Sequence, residues 1–324
     1  MRRLRNHGLA LAALLGFSWA AVPVQQAEAA GTVTYAGTVT YKVWHWNIAG
    51  DAINYGSTTN GLVDAILGSL SARNPDFISL NEVCPDQYHA ILVGLQAAGW
   101  PQSSTNFARF EPMPDVDTRL CGSDPGPNQQ PYGVALFSRF APTGTDRITL
   151  PSDGDKDRKL LCVSIATQPG DPSFCTTHIT FDDAVKQAQL DAVRAETDTI
   201  TATGGTVIAA GDFNTQPNDP LLDNWYSPNV NSSNNGNNTG TYREFDDQDP
   251  ICPGYGEQTT EGSLAGACGQ PAKVDQIFAP ERKLVSYTQD AHPIATDRCK
   301  NRNGVYVPCS DHRILDATVT LTTP

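Results

Sequence analysis

The chain has 324 residues and a formal charge of −13, with 35 acidic residues against 22 basic ones. An acidic balance of this size argues against a generic basic groove for nucleic acid, although bound divalent cations can supply positive charge locally. No composition break and no internal repeat divides the chain, so its length reads as one large domain.

Arg2, Arg3 and Arg5 make a basic start, Leu9 to Val24 is apolar but too short and alanine-rich to span a membrane well, and Ala27-Glu28-Ala29 is a small-x-small cleavage site. Residues 1–29 therefore read as a secretory signal and residues 30–324 as a single domain released outside the cell. Losing the signal takes the charge to −15, because it carries three basic residues and one acidic residue. All eight cysteines lie beyond it, and an even count in an exported chain reads as disulfides. Sequential pairing is the simplest arrangement: Cys84 with Cys121, Cys162 with Cys175, Cys252 with Cys268, Cys299 with Cys309. No Cys-x-x-Cys pair points to a metal–thiolate site.

The domain opens with Thr32 to Ile48, one or two strands with a break at Ala36-Gly37, and Asn47 near the end. Leu62, Ile66 and Leu70 recur at helical spacing between Asn60, placed to cap, and Asn74-Pro75, which stops the helix. Phe77, Ile78 and Leu80 form a strand that ends on Glu82. Pro85 to Ala98 is a second helix with Tyr88, Leu92 and Leu95 on one face. Residues 101–130 are irregular, with Arg109, Glu111 and Arg119 as residues that could face a substrate. Strands follow at Tyr132–Ser138, Ile148–Pro151, Lys159–Thr167 and Phe174–Ile179, the last carrying His178. Arg139 reads as a structural ion-pair residue.

Asp182 to Thr201 is the best helix, with a thin face of Val185, Gln189, Val193, Glu196 and Ile200. Gly204-Gly205 ends it and a short buried strand runs from Thr206 into Gly211-Asp212-Phe213-Asn214. On an extended backbone Asp212 and Asn214 point the same way, and Gly211 allows close approach to the main chain. Pro228 to Thr241 reads as a mobile surface loop, and residues 249–271 as another loop. Lys273 to Ala279 is a strand carrying Asp275. Ser310-Asp311-His312 precedes a last strand, Asp316 to Leu321. His45, His89 and His292 lack motif context and read as structural.

Asn47, Glu82, His178, Asp212, Asn214, Asp275, Asp311 and His312 all sit at strand ends, so strands lying side by side would bring them to one rim. They combine carboxylates for a hard cation, amides for phosphate oxygens and imidazoles for proton transfer. Hydrolysis of a phosphate ester needs these functions together.

Trp-Asn-Ile at 46–48, Leu-Asn-Glu-Val at 80–83, Thr-His-Ile at 177–179, Gly-Asp-Phe-Asn at 211–214, Val-Asp-Gln-Ile at 274–277 and Ser-Asp-His at 310–312 stand in the order found in the endonuclease/exonuclease/phosphatase family. Tyr132 to Arg139 resembles that family's middle strand. The chain looks like a secreted, deoxyribonuclease I-like relative over about residues 40–320. The resemblance implies an α+β fold, a four-layer α/β/β/α sandwich of two mixed sheets packed face to face with helices outside. It implies Glu82 as principal ligand of Mg²⁺, or Mn²⁺ or Ca²⁺, helped by Asn47 and Asp311. His312 would be the general base, oriented by Asp275. Asp212 would align the nucleophile or support leaving-group protonation, and Asn214 and His178 would hold the phosphate.

The substrate implied is a phosphodiester, with nucleic acid favoured and a phospholipid headgroup as the alternative. Against nucleic acid stand the acidic balance, the lack of a basic-aromatic run, and an extra glutamate whose counterpart is not secure, Glu111 being a candidate. Against lipid stands the lack of a Trp/Phe cluster in a loop, since Tyr255 and Trp225-Tyr226 are isolated. A secreted binding module without chemistry is the reading from another class, but it should have lost one of Glu82, Asp212, Asp275 or His312, and all four are present. Nothing implies a stable protein partner, and a monomer is expected.

Overall fold

The computed structural model describes residues 37–100, 108–114, 121, 131–152, 154, 157–166 and 168–323. The signal segment, the strand residues expected before Gly37, and Arg119 lie outside the described residues.

In chain order the elements are β1 (Thr38–Asn47), α1 (Leu62–Arg73), β2 (Phe77–Val83), α2 (Pro85–Ala97), β3 (Ala108–Pro112), β4 (Gly133–Ser138), β5 (Gly144–Thr149), β6 (Lys159–Ser164) and β7 (Pro172–His178). Then come α3 (Asp183–Ala202), β8 (Thr206–Asp212), β9 (Tyr242–Glu244), β10 (Asp275–Pro280), β11 (Leu284–His292), β12 (Cys299–Lys300), β13 (Tyr306–Val307) and β14 (Ile314–Thr322). One six-stranded sheet runs β11-β14-β1-β2-β4-β3 and the other β5-β6-β7-β8-β10-β9. β1 pairs with β2, and β7 with β8, in parallel; the other pairs in both sheets are antiparallel. A parallel pair needs a crossover, and α1 and α3 supply the two.

Period-two alternation explains the layering. On β1, Tyr41 and Val43 face the other sheet, where they join Phe77, Leu161, Phe174, Ile208 and Ile277 in the middle core. Trp44 and Trp46 face outward and pack with Leu62, Ile66, Leu70, Ile91 and Leu95 of α1 and α2. On the far side Leu160, Val207 and Ala209 pack with Leu190 and Val193 of α3. Three apolar interfaces between four layers make the α+β sandwich expected from the resemblance.

Several local expectations are corrected. β3, β9 and β11 are absent from the sequence reading: β9 is only three residues long, and the edge strands β3 and β11 each have a single buried residue, too few to show alternation. The strand expected at Ile148–Pro151 begins earlier, at Gly144, and pairs with β6. Gly61, not Asn60, is the residue before α1, although Asn60 Oδ1 still accepts the Leu62 N–H at 3.2 Å. The buried seam of α3 is turned from the one expected: Lys186, Leu190, Thr197 and Thr201 join Gln189 and Val193, while Glu196 and Ile200 are half-buried.

The Asn/Ser-rich segment at 228–241 is built, not loose. Ser232 Oγ donates to Pro253 O at 2.8 Å, Asn235 Nδ2 to Gly254 O at 2.9 Å and Asn238 Nδ2 to Asn235 Oδ1 at 2.9 Å. Short polar side chains replace ladder bonds here. Trp225, Tyr226 and Tyr255 are fully buried, and Trp225 packs on Phe213, Tyr242 and Phe278, so they are core residues. Arg109 and Glu111 have partners within the fold: Arg109 Nε donates to Thr145 Oγ1 at 3.0 Å and Glu111 pairs with Arg147, tying β3 to β5 across two sheet edges. Arg139 is structural as expected, but through Pro75 O at 2.8 Å and the face of Trp100.

All four sequential disulfides are present. Cys162 and Cys175 sit opposite each other in the β6–β7 register. Cys84 follows β2 directly, and Cys309 precedes Ser310, so two bridges brace the rim where β1, β2, β7 and β8 end.

Candidate functional site

The inward faces of the central strands change from apolar to polar at one rim. After Val43, β1 turns His45 and Asn47 inward; after Phe77, β2 turns Ser79 and Asn81 inward. Across the interface, β7 adds Thr176 and His178 after Phe174, and β8 adds Asp212 after Ala210. β10 runs antiparallel to β8 and opposes Asp275 to Asp212. β14 runs antiparallel to β1, so the Ser310–His312 turn before it arrives at the same rim. The site is therefore the continuation of the middle core in polar residues.

Asp275 lies between two imidazoles. His312 Nδ1 is 2.7 Å from its Oδ2 and His45 Nε2 is 3.1 Å from its Oδ1. His45 Nδ1 meets Ser79 Oγ at 2.8 Å, and Ser79 Oγ meets Thr176 Oγ1 at 2.7 Å, so the chain of bonds crosses from sheet to sheet. Asp212 is held as tightly. Its N–H donates to Asn81 Oδ1 at 2.7 Å, its Oδ1 accepts the Asn214 N–H at 2.9 Å, and its Oδ2 accepts Asn47 Nδ2 at 3.0 Å. His178 Nε2 and His312 Nε2 stand 3.4 Å and 3.7 Å from the same Oδ2. Arg158 Nη1 donates to His178 Nδ1 at 3.0 Å, which leaves the His178 proton on Nε2, toward Asp212.

Glu82 reaches the site by a backbone device. Alternation from Leu80 would turn it outward, but β2 shifts register against β4 between Leu80 and Val83, and Glu82 has φ 55°. A bulge of this kind re-aims a side chain, and here Glu82 Oε1 accepts Asn47 Nδ2 at 3.3 Å. Its O accepts the Gly50 N–H at 3.0 Å, where a Cβ on Gly50 would lie 2.4 Å from that oxygen.

Charge follows burial and neighbours. Burial and the adjacent Asp275 push Asp212 up to about 7. Burial alone would raise Asp275 too, but the His312 charge and bonds from His312 and His45 hold it well below the usual carboxylate range. Burial works against the His312 cation, yet Asp275 and Asp212 outweigh it and raise the imidazole to about 10. Burial, with Arg158 next, drives His178 well below its ordinary value, so it is neutral. Burial also raises Glu82.

Asn47, Glu82, His178, Asp212, Asp275 and His312 thus converge. Asp311 is exposed at the edge, and its charge is felt by both Glu82 and His312. Asn214 departs from the expected extended backbone: its φ is 46°, and its Nδ2 donates to Ile179 O at 2.8 Å. Gly211 is approached by Thr177 of the neighbouring strand; a Cβ would lie 2.2 Å from Thr177 O. His45, Asn81 and Arg158 were missed. His45 and Asn81 could have been found, because each sits two residues from a strand-end residue or a neighbour on the inward face. Arg158, just before β6, carries no such signal.

Asp212, Asp275 and His312 place ligand atoms within 4.8 Å of one another and could hold a metal ion. The other such group among the described residues, Asp51 with Cys84 and Cys121, is closed as a site by the disulfide.

The model of the Endonuclease/Exonuclease/phosphatase family matches residues 44–312. No curated protein matches the sequence. Among solved structures, the human Nocturnin catalytic domain with bound sulfate is 17% identical with a TM-score of 0.60, covering 89% of this chain and 98% of that one. An endonuclease/exonuclease/phosphatase from Beutenbergia cavernae is 20% identical with a TM-score of 0.57, covering 88% and 72%. D. rerio TDP2 complexed with a single-strand DNA product is 18% identical with a TM-score of 0.53, covering 88% and 99%. At these identities the likeness is one of fold.

Proposed function

This chain belongs to the endonuclease/exonuclease/phosphatase family, and from that premise we propose that it is an exported, divalent-metal-dependent phosphodiesterase that cleaves nucleic acid by attack of water. The observation that carries this reading is the His312 imidazole held between Asp275 and Asp212, beside the Asn47–Glu82 contact.

Glu82, Asn47 and Asp311 would hold the cation. They offer hard oxygen donors suited to Mg²⁺ or Mn²⁺, and Ca²⁺ fits the same chemistry. Burial disfavours the ionised form of Glu82, a cost that a bound cation offsets. Such an ion polarises a phosphoryl oxygen and offsets its charge. The alternative group of Asp212, Asp275 and His312 would take an ion on His312 Nε2 and is less suited, because Asp275 and Asp212 hold that imidazole protonated.

Asp212 takes the proton of the attacking water, since its carboxyl is poised near neutrality and its Oδ1 is fixed by the Asn214 N–H. His312 stays protonated through neutral pH and would give its Nε2 proton to the leaving oxygen as the phosphorus–oxygen bond breaks, while Asp212 holds the proton from water. This exchanges the base role expected for His312 with Asp212. His178 donates through Nε2, and Asn214 positions Asp212 and Ile179. The catalytic unit is residues 30–324, acting as a monomer without a stable protein partner after removal of residues 1–29; four disulfides suit that destination. The test is hydrolysis of bis(p-nitrophenyl) phosphate, plasmid DNA, RNA, sphingomyelin and phosphatidylcholine, each with Mg²⁺ and with excess chelator. Hydrolysis of DNA or RNA that needs the metal supports the reading. Full activity in chelator, or turnover confined to the two lipids, sinks it.

A further inference from the structure

Two loops flank the rim, one leaving Asn47 and one arriving at Ser310. The second contains β12 and β13, which pair antiparallel and are closed by the Cys299–Cys309 bridge. The first, residues 48–61, is stitched to it at the base: Asn54 Nδ2 donates to Ile48 O, Ala49 O and Cys309 O at 3.1, 3.2 and 2.9 Å. Lys300 N–H also donates to Asn60 O at 2.9 Å. Both loops are covalently continuous with the site. A cavity of about 520 Å³ opens between them, lined by Asn54, Tyr55, Asn60, Lys300, Asn301 and Arg302 among others.

The outer surface of this pair differs from the rest of an acidic chain. Tyr306 is 56% exposed and Tyr55 is 41% exposed. Lys300 Nζ lies 4.9 Å from the Tyr306 ring centroid, and the Arg302 guanidinium lies 4.1 Å from that of Tyr55. Two cations, each set against a partly exposed ring, are therefore brought together by the two stitched loops, from segments some 250 residues apart in sequence. A basic-aromatic run is missing from the sequence; the fold builds one. Buried aromatics would be core, and cations without rings would bind any anion. Exposed rings braced by cations match a flexible strand of phosphates and bases, where rings stack on bases and cations follow the backbone.

We propose that the 48–61 loop and the disulfide-closed hairpin form a docking surface for single-stranded polynucleotide, with Lys300 and Arg302 on phosphates and Tyr55 and Tyr306 on bases. This deepens the phosphodiesterase reading and rests on it for the direction of the strand toward His312. The surface holds the strand beside the site and concentrates scissile bonds there, while Glu82, Asp212 and His312 do the chemistry.

The test uses the full mature chain with Lys300→Gln/Arg302→Gln and, separately, Tyr306→Ser. Binding of a fluorescein-labelled twelve-residue oligothymidylate is followed by anisotropy in chelator over a range of salt concentrations. The double variant should weaken binding about tenfold or more, and its log Kd against log salt should flatten by about 1.4, the loss of two phosphate contacts to a single strand. Tyr306→Ser should weaken binding with the salt slope kept. Hydrolysis of bis(p-nitrophenyl) phosphate should be unchanged in both, which also reports folding. Unchanged affinity and slope would overturn the proposal. So would loss of binding to sphingomyelin–phosphatidylcholine vesicles in the variants with oligonucleotide affinity kept, which would make the surface a membrane contact. A wild-type protein that hydrolyses the small diester but binds no oligonucleotide fails the docking proposal alone. One that binds the oligonucleotide through this surface yet hydrolyses nothing fails the phosphodiesterase reading alone.

Discussion

Two clusters of buried charge sit two residues apart on the approach to β10, and they are built to opposite ends. Lys273 is fully buried between Glu244 and Asp246, with Nζ 3.2 Å from a carboxylate oxygen of each. Burial pushes Glu244 up to about 7 while Lys273 pulls it down, and Lys273 is raised because both acids outweigh its burial. Every element of this cluster faces another, so it closes on itself. The second cluster, Asp275 with His45, His312 and Asp212, stays open on one side, because His312 is partly exposed while the other three are buried. Buried charge is therefore no mark of a site. The mark is buried charge left with capacity on the side that solvent can reach.

The largest expected difference between the clusters is in metal dependence. Excess chelator should abolish phosphodiester hydrolysis reversibly, and Glu82→Gln should demand more Mg²⁺ for half-activation with its melting temperature kept. Metal titrations of rate and of thermal unfolding check this, and equal chelator sensitivity of wild type and Glu82→Gln at every metal concentration would remove Glu82 from the ligand set.

Next comes His312→Ala, which should lower turnover by about 10²- to 10⁴-fold with little change in KM. Asp275→Asn should reproduce most of the loss, and the double variant should be little worse, because residues acting as a unit are not additive. The pH–rate curve of the wild type should rise as Asp212 ionises through about 7 and fall as His312 loses its proton through about 10, both limbs moving lower with metal bound. Rescue of His312→Ala by extra metal would make the residue a ligand aid instead. The same shift has a stability consequence. His312 is raised from 6.5 to about 10 on folding, so its contribution is complete below the unfolded value and is lost as pH rises through about 10. Thermal unfolding of metal-free protein between pH 6 and 11 should show that loss, and His312→Ala should flatten it.

Lys273→Met sharpens the contrast from the other side. It leaves Glu244 and Asp246 buried without their cation and should cost about 3 to 5 kcal/mol of stability. The folded fraction should keep its turnover. Denaturant melts with active-site titration separate the two, and a loss of turnover per folded molecule would tie the closed cluster to the site. The smallest effect belongs to His45→Ala. His45 holds the far oxygen of Asp275 without meeting substrate, so turnover should fall by about 10- to 100-fold, less than for Asp275→Asn. An equal loss in both would make His45 as central as the carboxylate it orients.

Much of this was legible one strand at a time. Thr206 to Asp212, Phe77 to Val83 and Phe174 to His178 announce themselves by short apolar runs ending in polar groups. Sequential cysteine pairing holds in all four bridges. Edge strands such as β3 and β11 were illegible because one side of their ladder faces no partner, so little alternation is required of them. His45 carries no motif, and only its place on the inward face of β1 with Asn47 links it to the site. The two-residue spacing does not set Asn214 beside Asp212, because φ 46° at Asn214 ends the extended chain there.

The sequence by itself determined which chemistry could occur, since carboxylates, amides and imidazoles at strand ends are set by residue order and by a period of two. It also determined which side chains share a face of each strand, because faces follow from that same period. Only the tertiary structure decided how the groups charge one another. Asp212 and Asp275 are far apart in the chain, and their opposition across β8 and β10 separates one carboxyl poised near neutrality from one held ionised. The register shift at Glu82, and the surface that Tyr55 and Arg302 share with Lys300 and Tyr306, were likewise decided there. Local spacing governs where a side chain points, whereas pKa and surface patterning depend on distances through space that only the packed sheets define.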